Sequence, residues 1–166
     1  MITAMRVVWG EEETSLWLAS IKNNEPKEYP KNTPIVAATA AGEIDVGLVN
    51  HYYLHRFIQE DGEDFAARNH FLRDNGPGSL IMVSGAGILN EADNRDNAEK
   101  FLRFMVSPVA QQYFASQTFE YPLVKGVNTH RLLPPITELN GPDIDVAGLA
   151  DVAGTQSLLR DLGIIP

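Results

Sequence analysis

Between residues 32 and 59 the chain reads as helix, strand and helix, with almost no loop between the last two. Asn32 suits a helix N-cap, because its side-chain oxygen can accept from a first-turn amide. Pro34 is tolerated in a first turn, an alanine-rich run follows, and Gly42 stands where helices commonly end. The apolar run IDVGLV, residues 44–49, reads as a buried strand. Asn50 comes next, in the position of a cap, and HYYLHRFIQ reads as a new helix. A strand running straight into a helix is the unit of α/β architecture. In open sheets of that class, the strand-to-helix edge is where ligands usually bind.

The remaining segments agree with an α/β fold. WGEEETSLWLASIKNN reads as a helix whose acidic first turn suits the positive end of the dipole, with Trp17, Leu18 and Ile21 as its apolar stripe. FLRDNGPGSLIMVSGAGIL reads as a turn-rich break followed by a strand, and its SGAG, residues 84–87, as close backbone packing. RDNAEKFLRFMVS is helical, with Ala98, Phe101, Leu102 and Met105 on one face. Ser107 and Pro108 restart a helix as cap and first residue. LLPPI and GPDIDV are a proline-broken connector and a turn, and TQSLLRDLGII closes the chain as an amphipathic helix ending at Gly163. The crossings near 75–79 and 134–142 suggest that the chain changes body twice.

Composition narrows the function. The 166 residues include no cysteine, which removes disulfides, thiolate metal sites and thiol nucleophiles. A net charge of −9 repels nucleic acid and anionic membranes, so no nucleic-acid partner is expected. A small cation fits better. The first residues, MITAMRVVWGEEE, do not read as a signal peptide.

Tyr52 and Tyr53 are the most informative pair. With Asn50 as cap they occupy the second and third helical positions, where the dipole favours a phenolate. They are either half-buried packing aromatics or two oxygen ligands. A free phenol ionises near about 10, so ligation needs a strongly Lewis-acidic cation. Hard oxygen donors suit a hard ion, ferric iron before zinc or copper. His51 and His55 share a helix face at a zinc-binding spacing, but no glutamate occupies the motif position between them. Asn32 and Asn50 read as caps that could also face an anion. No serine, histidine and acid stand at hydrolase spacing, and no catalytic residue is assigned.

The stretch YPKNTPIVAATAAGEIDVGLVNHYYLHR resembles bacterial ferric-iron-binding proteins, the extracytoplasmic substrate-binding components of iron(III) ABC transporters. PGSLIMVSGAGIL, AEKFLRFMVSPVAQQYFA and EYPL resemble the segments that follow in that family, in the same order. The resemblance implies a bilobal α/β fold of the periplasmic-binding-protein type (class II-like). It implies that Tyr52 and Tyr53 are ferric ligands, and that Asn32 and Asn50 help to hold a synergistic anion, phosphate or carbonate. The implied function is capture of Fe3+ for an ABC permease, not catalysis. The implied location is periplasmic or otherwise extracytoplasmic, as a lipoprotein in a Gram-positive cell.

Family members are about twice as long. By analogy, residues 1–80 form a second-lobe α/β segment with the NHYY motif. Residues 81–133 cross to an otherwise absent first lobe, and residues 134–166 return to the second. The face carrying Phe101, Leu102 and Met105 would then lack its usual cover. The isolated chain is expected to form a homodimer or to swap segments. Two other functions compete. One is a binding protein of the same scaffold for a polyamine, thiamine or an oxyanion, with the tyrosines stacking on an organic ligand. The other is a small zinc-dependent enzyme using His51, His55 and Glu60.

Overall fold

The computed structural model describes residues 1–166, the side chain of Val146 excepted. Seven α-helices order the chain: α1 (Ile2–Trp9), α2 (Glu11–Asn23), α3 (Asn32–Ala40), α4 (Tyr52–Asp61), α5 (Arg95–Met105), α6 (Pro108–Tyr113) and α7 (Val152–Asp161). Short 3-10 turns occupy Pro77–Ser79, Ile136–Glu138 and Val146–Leu149, and a π turn, Phe114–Thr118, prolongs α6.

Most expected helices form for the expected reasons. Glu11, Glu12 and Glu13 open α2, which buries Thr14 and Leu18, with Trp17 and Ile21 half-buried beside them. Ser107 caps α6 by accepting from the Ala110 N–H at 3.3 Å, ahead of Pro108 at the first position. Gly163 follows α7 at φ 61°, a conformation that favours glycine. α1, which the sequence reading did not anticipate, packs against α2, α7 and the turns Pro77–Ser79 and Val146–Leu149. Arg6 ties it down by donating to Thr155 Oγ1 and to the carbonyl and carboxylate of Asp151.

The strands do not form. Among the described residues all regular elements are helical, so the α/β expectation is not met. A strand is a property of two segments, because its N–H and C=O groups need a ladder partner. Residues 44–50 run as irregular chain with no described segment pairing beside them. Nor is the segment buried as expected: Val46 is 78% and Leu48 60% exposed. Val49 packs on the core cluster of Val36, Leu54 and Ala67. Gly47 lies so close to α3 that a Cβ there would run into Ile35 Cγ2. One face is therefore covered by helices and the other is bare. Residues 80–88 behave similarly, with Ile81, Met82 and Val83 exposed. Gly85 and Gly87 have nothing within 4 Å of an added Cβ, so SGAG is not a close-packing site among the described residues.

The core that positions the candidate site lies between α3 and α4. Val36, Leu54 and Ala67 are buried there, ringed by Ala40, Val49, Tyr53, Phe57, Ile58 and Phe65. Phe57 and Phe65 stack at 4.9 Å and 16°. Burying side chains of this size stabilises by roughly 1.5–3 kcal/mol each.

Candidate metal centre

α4 begins one residue later than the sequence reading expected. His51 is the cap residue and makes no side-chain cap bond. Tyr52 and Tyr53 are thus the first and second helical residues, and the Tyr53 N–H donates to the Asn50 carbonyl at 3.2 Å. Asn32 and Asn50 are not caps. Lys31 precedes α3 without a side-chain bond, and Asn32 Oδ1 accepts the Asn50 N–H at 3.3 Å. Asn50 Nδ2 donates to the Tyr52 hydroxyl at 3.4 Å. The chain doubles back between the two helices, so their starts lie side by side and the amides bond across instead of along. Asn32, Asn50, Tyr52 and Tyr53 are brought together as one connected group.

The two phenol rings converge, with centroids 4.6 Å apart and planes tilted by 32°. Neighbours on a helix diverge by about 100°, but side chains lean toward the helix N-terminus. In a first turn both rings can therefore extend past the helix end. Tyr53 also rests on the α3–α4 core and is half-buried as a whole. The Arg56 guanidinium lies 5.6 Å from the Tyr52 centroid and 5.1 Å from that of Tyr53, within cation–π range of both.

Tyr52 holds its proton more tightly than an ordinary phenol. Its interaction with the Tyr53 hydroxyl is the largest cause and burial the next, while the Asn50 bond and the Arg56 charge act in the opposite direction. The helix dipole does not by itself yield a phenolate here. Tyr52 and Tyr53 are the residues that would hold a cation here, and the cation would supply the Lewis acidity that a phenol with a raised pKa needs in order to ionise. The arrangement therefore suits a Lewis acid strong enough to ionise both groups.

The histidines turn elsewhere. His51 and His55 do share a face, with ring centroids 6.3 Å apart. His51 Nε2–H donates to the Phe119 carbonyl at 2.7 Å. Burial lowers the His51 pKa, against a smaller rise from that bond and from Glu120. His55 is 3% exposed, stacks on Phe119 at 4.7 Å, and accepts from Asn69 Nδ2 at 3.4 Å through Nε2. Its Nδ1 has no partner. Burial, then the charges of His51 and His130, push its pKa down to about 4. Among the described residues no three His, Asp or Glu side chains converge on one point, and Glu60 is exposed.

A model of the bacterial extracellular solute-binding protein family matches residues 10–139. The chain belongs to that family. The major ferric iron-binding protein of Neisseria meningitidis serogroup A is 34% identical over 98% of this chain and 49% of its own length. Iron uptake protein A1 of Synechocystis is 34% identical, over 98% of this chain and 47% of its own length. Iron-bound HitA from Pseudomonas aeruginosa superposes with a TM-score of 0.89 at 34% identity, over 98% of this chain and 52% of that one. A Trichodesmium protein (IdiA, FutA) in complex with iron and citrate gives 0.81 at 28% identity, over 98% and 54%. This solute-binding protein chain thus spans about half the length of the relatives it matches. Those relatives carry the names of binding and uptake proteins, not of enzymes. The solute-binding protein fold stands on these superpositions, while the chain's own described elements are helices. No helix is long and apolar enough to cross a membrane among the described residues.

Two contacts of this solute-binding protein chain escaped the sequence reading. Arg56 follows Tyr52 by four and Tyr53 by three, the spacing of neighbours on a helix surface, so its place over both rings was available from the numbering. Phe119 was not, since nothing local in FEYPL ties residue 119 to residue 51.

Proposed function

We propose that the chain captures ferric iron through the phenolates of Tyr52 and Tyr53. Asn32 and Asn50 assist by holding a synergistic anion, phosphate or carbonate, beside the metal. The loaded protein delivers its cargo to an ABC permease outside the cytoplasm. The observation that carries this reading is the convergence of two phenols, 4.6 Å between centroids, at an exposed helix start linked to both asparagines. Similarity over 98% of the chain to proteins named for ferric iron supports it. The complex of the Trichodesmium protein with iron and citrate adds a carboxylate to the anions worth testing.

Ferric citrate added to the protein should give a visible phenolate-to-iron charge-transfer band. Tyr52→Phe and Tyr53→Phe should each remove most of it. A folded chain that stays colourless overturns the reading. Phosphate, carbonate and citrate, added in turn, should sharpen or shift the band, and Asn32→Ala or Asn50→Ala should weaken that response. The organic-ligand alternative is less well supported. Rings 4.6 Å apart leave no room for a third ring between them, and Arg56 already lies against both.

The division into residues 1–80, 81–133 and 134–166 belongs to the same reading. α1 packs with α7 and the turn Pro77–Ser79, whereas α5 packs with α6. The apolar side of α5 has no buried residue. Through it the isolated chain self-associates, as a dimer or by exchanging segments. A monomer in light scattering at moderate concentration would contradict this.

A further inference from the structure

The first turn of α4 has no side-chain cap, so its amides have only weak reasons to stay in register. His51, immediately before the phenols, is instead held from two distant parts of the chain. Its Nε2–H donates to the Phe119 carbonyl at 2.7 Å, and its own carbonyl accepts from Asn69 Nδ2 at 2.8 Å. Phe119 ends the π turn Phe114–Thr118 in a left-handed conformation, φ 59° and ψ 32°. A bulky residue rarely adopts that conformation, and π turns are frequent at functional sites. The left-handed residue ends the helix and leaves its carbonyl free for the imidazole. Its ring is 1% exposed, stacked on His55 and edge-on to His130 at 4.5 Å, so the carbonyl cannot easily drift.

We infer that His51, seated on the Phe119 carbonyl, is a positioning residue for the phenol pair. The imidazole–carbonyl bond does not satisfy the first-turn amides; it anchors the residue from which α4 begins. It thereby sets where the oxygens of Tyr52 and Tyr53 stand. Asn69 adds a second hold on the same residue. This role rests on the reading of the pair as ferric ligands and names what keeps them in register.

The test uses the full chain loaded with ferric citrate. His51→Phe keeps a ring against Tyr121 and Phe71 (5.7 and 5.9 Å in the parent) and removes the donor. His51→Gln offers an amide N–H at a similar reach. The readouts are the wavelength of the charge-transfer band, the rate at which EDTA strips the iron, and the urea midpoint. The Phe variant should lose iron about tenfold faster or more, as removal of a supporting contact to a metal ligand commonly does, with a shifted band. The Gln variant should recover most of both. Asn69→Ala should change both in the same direction to a smaller extent, and serves if His51→Phe does not fold. Parent-like band and release rate in the folded variants overturn the positioning role, whatever the midpoint does. So does a Gln variant as fast as the Phe variant. A parent protein with no band sinks the iron reading and this role with it; a parent band with unaltered variants sinks the positioning role alone.

Discussion

α4 and α5 are both amphipathic, and they end in opposite states. α4 buries Leu54 and His55 and half-buries Phe57 and Ile58 against α3 and the segment around Phe65 and Ala67. α5 buries nothing, with Phe101 58% and Phe104 52% exposed. Helical periodicity states which residues share a face, not what will cover it. For α4 the cover is close by in sequence, since only residues 41–51 separate it from α3. For α5 the packing partner among the described elements is the short α6. The contrast separates a face that already stabilises this chain from a face still open to another surface.

The largest expected effect tests that separation directly. Leu54→Ala removes buried packing between α3 and α4 and should destabilise by roughly 2–5 kcal/mol in a urea melt. Phe101→Ala should stay within about 0.5 kcal/mol of the parent at low protein concentration, as exposed substitutions do. As protein concentration rises the loss for Phe101→Ala should grow, because self-association through α5 then covers that face; a loss that stays flat would contradict the self-association.

The next effect depends on pH and distinguishes α4 from α5, which contains no histidine. In the folded chain His55 titrates at about 4; unfolded, it titrates near 6.5. Between those values the unfolded chain binds a proton that the folded chain refuses. The stability from neutral, buried His55 is therefore fully present above about pH 6.5 and is lost as pH falls toward about 4. The loss is on the order of 3 kcal/mol. Carboxylates also weaken the fold in acid, so the informative quantity is the parent compared with His55→Phe, which keeps a ring on Phe119. The variant should show a shallower fall between pH 6.5 and 4.5. Parallel curves would show that His55 is reached by water and charged without cost.

The helices were legible in the sequence wherever their causes are local. Acidic residues opening α2, Ser107 with Pro108 at α6, and Gly163 after α7 act within one turn, and each element formed. The phenols were legible as a pair because they are adjacent and follow Asn50. What was misread depends on distant partners. Asn32 and Asn50 have the composition of caps, yet bond across two helices, because the chain reverses between them. Residues 44–49 have the composition of a buried strand, but one face rests on α3 and the other, with Val46 and Leu48, is mostly exposed. The hold on His51 joins residues 51, 69 and 119, and no short window contains all three.

The segments leading into the two helices repeat the contrast on a smaller scale. Gly47, before α4, lies against α3, where a Cβ would collide with Ile35 Cγ2 and sit 3.2 Å from Thr39 Oγ1. Gly85, before α5, has nothing within 4 Å. Neither glycine has a positive φ, so the backbone admits alanine at both and only the surroundings differ. Gly47→Ala should cost roughly 1–3 kcal/mol, because the segment must lift off α3 or Ile35 must change rotamer. Gly85→Ala should be neutral, or stabilise by up to about 1 kcal/mol through the unfolded chain. Because the Gly47 segment carries Asn50, the same substitution should also weaken the response of the charge-transfer band to added anion. A neutral Gly47→Ala would indicate that residues 44–49 are as loosely held as residues 80–88. The two segments would then differ only in the helices they precede.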